Sequence, residues 1–142
     1  MRALKLFSIV ILILTSCSKS SVQTDNYYVA FSATLSGGSI VPANASAGKG
    51  TASAVYNKNT GILTVNVTWS GVTATAAHIH DGAVGANGAT VFTLTGVTSP
   101  INYTSIALTG AQETDLLANL FYVDIHSAAY PNGEIRGQLI MQ

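Results

Sequence analysis

Charge is what this 142-residue chain has least of: six Lys and Arg balance six Asp and Glu, and charged residues make up 8% of the whole. No stretch sets Lys or Arg among aromatic residues as a nucleic-acid surface requires, which argues against nucleic-acid binding. A single cysteine leaves no intrachain disulfide, so the fold has to hold by core packing and backbone pairing. No apolar run reaches the roughly 20 residues that a membrane-crossing helix takes. The glycine-rich bend Gly82-Ala83-Val84-Gly85-Ala86-Asn87-Gly88 lacks both the helix of a dinucleotide fingerprint and the Gly-Lys-Ser/Thr of a P-loop. A Ser-His-Asp elbow, paired catalytic carboxylates and a cysteine nucleophile are missing too. Apolar residues nevertheless reach 48%, which excludes a disordered chain; polarity rests on Ser, Thr, Asn and Gly, a mixture that suits a β-rich extracytoplasmic protein.

The first residues are of a different kind. Arg2 and Lys5 precede an apolar run from Leu6 to Leu14 and then small residues, the layout of a secretory signal. Leu14-Thr15-Ser16-Cys17 resembles the bacterial lipobox, in which cleavage before the cysteine frees it for diacylation; the alternative is a conventional signal peptide with a chance cysteine. The lipobox reading makes 1–16 the signal peptide and 17–26 a lipidated cysteine with a polar tether, leaving 27–142 as the domain. More than one acyl chain at Cys17 is enough for stable membrane anchoring, where one is marginal. Ser18 stands where some bacteria place the Asp that retains lipoproteins at the inner membrane, which points to a cell-envelope protein at the outer membrane. Four basic residues then face six acidic ones, too small an excess to imply a charged partner.

From Tyr27 the chain alternates. Val29, Phe31, Ala33 and Leu35 recur at strand period, as do Leu63, Val65, Val67 and Trp69 opposite Thr64, Asn66 and Thr68. Further strands are expected at 51–57, 76–80, 89–95, 102–109, 120–127 and 133–141, with one short helical segment over 111–120. Seven to eight short antiparallel strands separated by Gly, Asn and Pro predict an all-β Greek-key sandwich or barrel.

Three histidines carry the chemistry. His78 and His80 flank Ile79, so strand parity puts both imidazoles on one face, about 6.6 Å apart along the strand. Tyr122, Asp124 and His126 share a face opposite Val123 and Ile125 in the same way. If the two strands are neighbours, His78, His80 and His126 converge on the outer side, a set suited to copper or zinc, with copper favoured at nitrogen sites. Asp124 or Asp81 is positioned to orient a ring through its second nitrogen. The competing expectation is that the histidines only hydrogen-bond between strands or to backbone, in a structural or adhesive module whose loops contact an envelope protein or glycan. Arg136 is either a cross-strand partner for Glu134, Asp124 or a carbonyl, or a guide for an anion.

Two families share these segments. His78-Ile79-His80-Asp81-Gly82, Gly85-Ala86-Asn87-Gly88, Tyr122-Val123-Asp124-Ile125-His126 and Tyr130-Pro131-Asn132-Gly133-Glu134-Ile135-Arg136-Gly137-Gln138-Leu139 resemble the chordin-domain (CHRD) family, as does the opening Phe31-Ser32-Ala33-Thr34-Leu35-Ser36-Gly37 with Val41-Pro42 and Gly48. That family includes bacterial secreted proteins. A weaker likeness, in Gly61-x-Leu63, Gly71-Val72-Thr73, His78-x-His80, His126 and Gly133 to Gly137, is to the copper-zinc superoxide dismutases. It implies an eight-stranded Greek-key sandwich, copper on His78, His80 and His126, and Arg136 as anion guide. No histidine is left to bridge a second metal, however, and the zinc ligands and structural disulfide of that family are missing.

Overall fold

Alternation builds the domain in the computed structural model, which describes residues 27–142. In β1 (Tyr28–Ser36) Phe31, Ala33 and Leu35 are buried, in β2 (Lys49–Asn57) Ala52, Ala54 and Tyr56, and in β3 (Ile62–Ser70) Leu63, Val65 and Val67. Successive side chains of a strand point to opposite faces, so each strand gives one row to the core and one row, rich in Ser and Thr, to solvent. The three form a meander with unbroken register, Tyr28 opposite Asn57 through Ser36 opposite Lys49, then Lys49 opposite Ser70 through Asn57 opposite Ile62.

The chain then crosses to form β4 (Ala74–Asp81) and β5 (Ala89–Thr93), and returns to add β6 (Ile101–Thr104) beside β3. Helix α1 (Gly110–Leu117) follows, then β7 (Phe121–Ser127), β8 (Ile135–Gln138) and β9 (Ile140–Met141). The order is β5-β4-β7-β8-β1-β2-β3-β6, with β9 pairing β1, in one antiparallel sheet curled into a half-barrel. The curl brings the two edge strands toward each other: the rings of Phe92 on β5 and Tyr103 on β6 lie 5.8 Å apart. Between the two halves lies the core, with Phe31, Leu35, Leu63 and Val67 from one and Ile79, Phe121, Val123 and Ile125 from the other.

This is the all-β sandwich or barrel class with one short helix that the strand pattern predicts, and two segments differ in detail. The strand expected over 102–109 stops at Thr104, and at Ser105 the side chain takes over half of the pairing: the Ser105 amide donates to the Leu63 carbonyl, while the Leu63 amide donates to Ser105 Oγ, both at 2.9 Å. The last strand is split at Leu139, which is fully buried and donates its amide to Phe121, so the segment beyond it pairs with β1. Helix α1 persists despite its eight residues because Thr109 and Gln112 cap it reciprocally and Leu116 is sealed in the core. Among the described residues no helix is long and apolar enough to cross a membrane.

The arrangement that matters for function is the insertion of β7 between β4 and β8. It sets His78 opposite Asp124, Ala76 opposite His126 and His80 opposite Tyr122. Residues 42 to 50 positions apart in sequence thereby become cross-strand neighbours.

Candidate metal centre

The polar rows of β4 and β7 face the same way and bring His78, His80, Asp124 and His126 together, with one ligand atom of each lying within 4.8 Å of all the others. His78 Nδ1 is 3.1 Å from His126 Nε2 and 3.6 Å from Asp124 Oδ1. His126 Nε2 is 3.1 Å from Asp124 Oδ1, and His80 Nε2 is 3.2 Å from Asp124 Oδ2. The convergence expected from strand parity is therefore present, on the outer face, where the three histidines stay partly exposed while their neighbours are covered. Tyr122 is 3% exposed, Asp124 5% and Arg136 2%, because the loop 82–88 folds across this face.

Two of the three rings are oriented by backbone. His80 Nδ1 lies 3.1 Å from the Gly88 carbonyl, and His126 Nδ1 lies 2.9 Å from the Pro131 carbonyl. A carbonyl only accepts, so these two histidines carry a proton on Nδ1 and turn Nε2 into the cluster. Backbone carbonyls thus do the orienting that was expected of Asp124 or Asp81. Asp124 lies instead on the same side as the facing nitrogens, as a candidate ligand in its own right. Asp81 is not part of the centre: it follows the core parity of Ala77 and Ile79 to the end of β4, where it meets Asp115 of α1. Burial and that second carboxylate raise its pKa.

Electrostatics tie the cluster together. Burial alone would raise the pKa of Asp124, but the His126 and His80 nitrogens beside it prevail and hold it at about 2. The Asp124 carboxylate in turn raises His126. Burial lowers His78, and the other two imidazoles add to that against the pull of Asp124. A carboxylate depressed in the folded state contributes stability above its unfolded pKa and loses it as pH falls through the folded value. For Asp124 that is about 2 kcal/mol, so the stability difference between the metal-free wild type and Asp124→Asn is expected to shrink by this amount from pH 4 to 2, measured by urea unfolding.

Not every polar atom is satisfied. Among the described residues, His80 Nε2 and Asp124 Oδ1 are the buried side-chain nitrogen and oxygen atoms without a hydrogen-bond partner. His80 Nε2 is close to the carboxylate yet not aimed along a hydrogen bond, so its contact with Asp124 is electrostatic only. Leaving such groups unpaired costs roughly 1–3 kcal/mol each, and both point into the space the four ligand atoms surround.

The cover over the centre is itself built from named contacts. Tyr122 stacks on His80 with centroids 4.9 Å apart, and the Arg136 guanidinium lies 3.4 Å from the Tyr122 ring centroid. Arg136 donates from its two terminal nitrogens to the carbonyls of Ala86 (2.7 Å) and Ala83 (3.0 Å), and the Gly88 amide donates to the Tyr122 hydroxyl (3.1 Å). Arg136 thus takes carbonyl partners, in the loop rather than across the strands, and is 2% exposed. The family model of the CHRD domain matches residues 31–139. The chain belongs to the CHRD domain family. No curated protein and no solved structure matches it. In this CHRD domain the matched span contains the whole cluster, its loop and both carbonyls that orient the rings.

Gly88 is where the domain's close packing is most exacting. A Cβ there would run into the Asp81 carbonyl, and the Gly88 backbone serves both His80 and Tyr122. Gly88→Ala is expected to cost about 1–3 kcal/mol and to loosen His80, seen as a lower melting temperature and a broadened His80 ring resonance in NMR. Gly133, at φ 114°, does the equivalent for the turn that presents Pro131 to His126.

Proposed function

We propose that this CHRD protein is a lipid-anchored envelope module that binds a divalent transition metal, copper ahead of zinc, on His78 Nδ1, His80 Nε2, His126 Nε2 and the Asp124 carboxylate. The observation that carries the reading is the pair of buried, unpartnered atoms in the cluster, His80 Nε2 and Asp124 Oδ1, facing two further imidazole nitrogens. Ligand bonds of about 2.0–2.1 Å place two nitrogens on one ion about 2.9–3.4 Å apart; the 3.1 Å between His78 and His126 matches that spacing. Bringing in the remaining atoms, spread over at most 4.8 Å, takes side-chain adjustments of under about an ångström. Three neutral imidazoles and one carboxylate offer a divalent ion a single negative charge and no sulfur donor, which suits copper(II) and zinc. The ion would also neutralise a carboxylate buried at 5% exposure without a hydrogen-bonded cation.

Anchoring comes from the sequence. Arg2, Lys5, the run to Leu14 and the lipobox at Cys17 lie outside the described residues, and they support diacylation of Cys17 with the domain held in the envelope, at the outer membrane on the evidence of Ser18. There the module would hold copper for sequestration, delivery or redox protection. Dismutase chemistry is not part of the reading, since the residue that would guide the anion is buried beneath its own loop.

A structural role has one specific observation in its favour: His80 and His126 each bind a loop carbonyl and so tie loops to strands. Metal analysis of the purified protein with calorimetric titration of copper and zinc separates the two. The metal reading expects one ion per chain, lost in the His78→Ala, His80→Ala, His126→Ala triple variant. Equal binding by that variant, or no binding by wild type with only a drop in melting temperature on substitution, overturns it.

A further inference from the structure

The three imidazoles are held with unequal firmness. His80 has its far nitrogen at the Gly88 carbonyl, its ring stacked on Tyr122 and Thr90 Oγ1 at 3.4 Å. His126 has its far nitrogen at the Pro131 carbonyl. His78 has no such anchor: its contacts are with the other members of the cluster, through Nδ1 and through edge-on rings with His80 and His126. Its side chain is also the most exposed of the four, at 22% against 12% for His80, 14% for His126 and 7% for Asp124. The mouth of the centre is therefore on the His78 side, and the ring that lines it is the one free to swing.

We propose that His78 is the exchange ligand of this centre, releasing its Nδ1 bond so that a donor from an incoming partner takes that position while His80, His126 and Asp124 keep hold of the ion. This rests on the metal reading above and adds to it a route: transfer by ligand substitution to a partner that presents an imidazole or similar nitrogen donor. One metal–nitrogen bond breaks, another forms, and the oxidation state of the ion does not change. Anchored ligands are poor leaving groups because their rings are held in place when the bond lengthens, and outer contacts of this kind are worth about 10–100-fold in affinity.

The test compares full-length wild type with His78→Ala, His80→Ala and His126→Ala, each loaded with copper(II) and challenged with excess EDTA, while imidazole is supplied as a model donor. His78→Ala is expected to keep one copper with affinity lowered about tenfold, against about 100-fold or more for the two anchored positions. Its release to EDTA is expected to be faster than wild type and to be slowed again by millimolar imidazole. Because a cavity at position 78 could impair folding, His78→Gln is tested beside it, and wild type is titrated with imidazole under electron paramagnetic resonance, where a changed nitrogen hyperfine pattern is expected. Equal losses at all three histidines, or a wild-type spectrum that imidazole leaves unchanged, overturn the exchange role while metal binding stands. A wild type that takes up no copper overturns the metal reading itself and the exchange role with it.

Discussion

Asp124→Asn is expected to weaken copper binding by at least about 100-fold, more than the 10–100-fold usual for residues that only orient a ligand. The substitution keeps shape and removes charge. Asp124 lies within 3.6 Å of a nitrogen of every histidine in the centre, and its Oδ1 has no hydrogen-bond partner. An asparagine oxygen can occupy the same place, but it brings no negative charge to a divalent ion. The metal-free variant is expected to fold, at a cost of about 2 kcal/mol at pH 5, which is the stability its low pKa represents. Competition against a chelator of known affinity gives the first quantity and urea unfolding the second. A variant that binds copper as tightly as wild type would show Asp124 to be a bystander.

Removing Arg136 is the second large effect. In Arg136→Met the side chain keeps much of its apolar reach and loses its donors to Ala83 and Ala86, together with the cation over Tyr122. Hydrogen bonds to charged groups contribute about 1.5–3 kcal/mol each and a desolvated cation–π contact about 2 kcal/mol. Allowing for overlap between them, a net loss of about 3 kcal/mol is expected. Arg136→Lys restores little, because a single ammonium cannot span two carbonyls and lie flat on a ring as a guanidinium does. Once the loop 82–88 is released, the Gly88 carbonyl no longer fixes His80, and copper affinity is expected to fall about tenfold in addition. Thermal unfolding and hydrogen exchange over residues 83–88 follow the two consequences separately.

What could be read in advance was whatever depends on parity. Period-two patterns in 28–36, 49–57 and 62–70 place nearly every core residue of the meander. The same rule sets His78 with His80, and Asp124 with His126, on common faces before any pairing is known. That β7 lies beside β4 is a different matter, since it depends on a non-local insertion that no local pattern specifies. Asp124 shares the face of His126, which is signal enough to suspect a ligand, while Gly88 and Pro131 do through backbone the orienting expected of an aspartate. Asp81 illustrates the reverse. It adjoins His80 in sequence, and the one-residue step that separates the two sends it to Asp115 on the far face.

The cover was the least legible part. On a simple antiparallel sheet the polar face meets water. The loop between β4 and β5 instead folds back over its own strand, held by an arginine from β8 and a tyrosine from β7. The glycines of the bend show that the chain can turn there, while the direction of the turn is set by Arg136, about 50 residues away in sequence.

X-ray absorption at the copper edge of the loaded protein is the most direct test of the central claim. The account predicts one copper per chain with three imidazole nitrogens at about 2.0 Å and one carboxylate oxygen, and loss of that signature in the triple histidine variant. A copper environment without histidine scattering, or one that the triple variant retains, would contradict it.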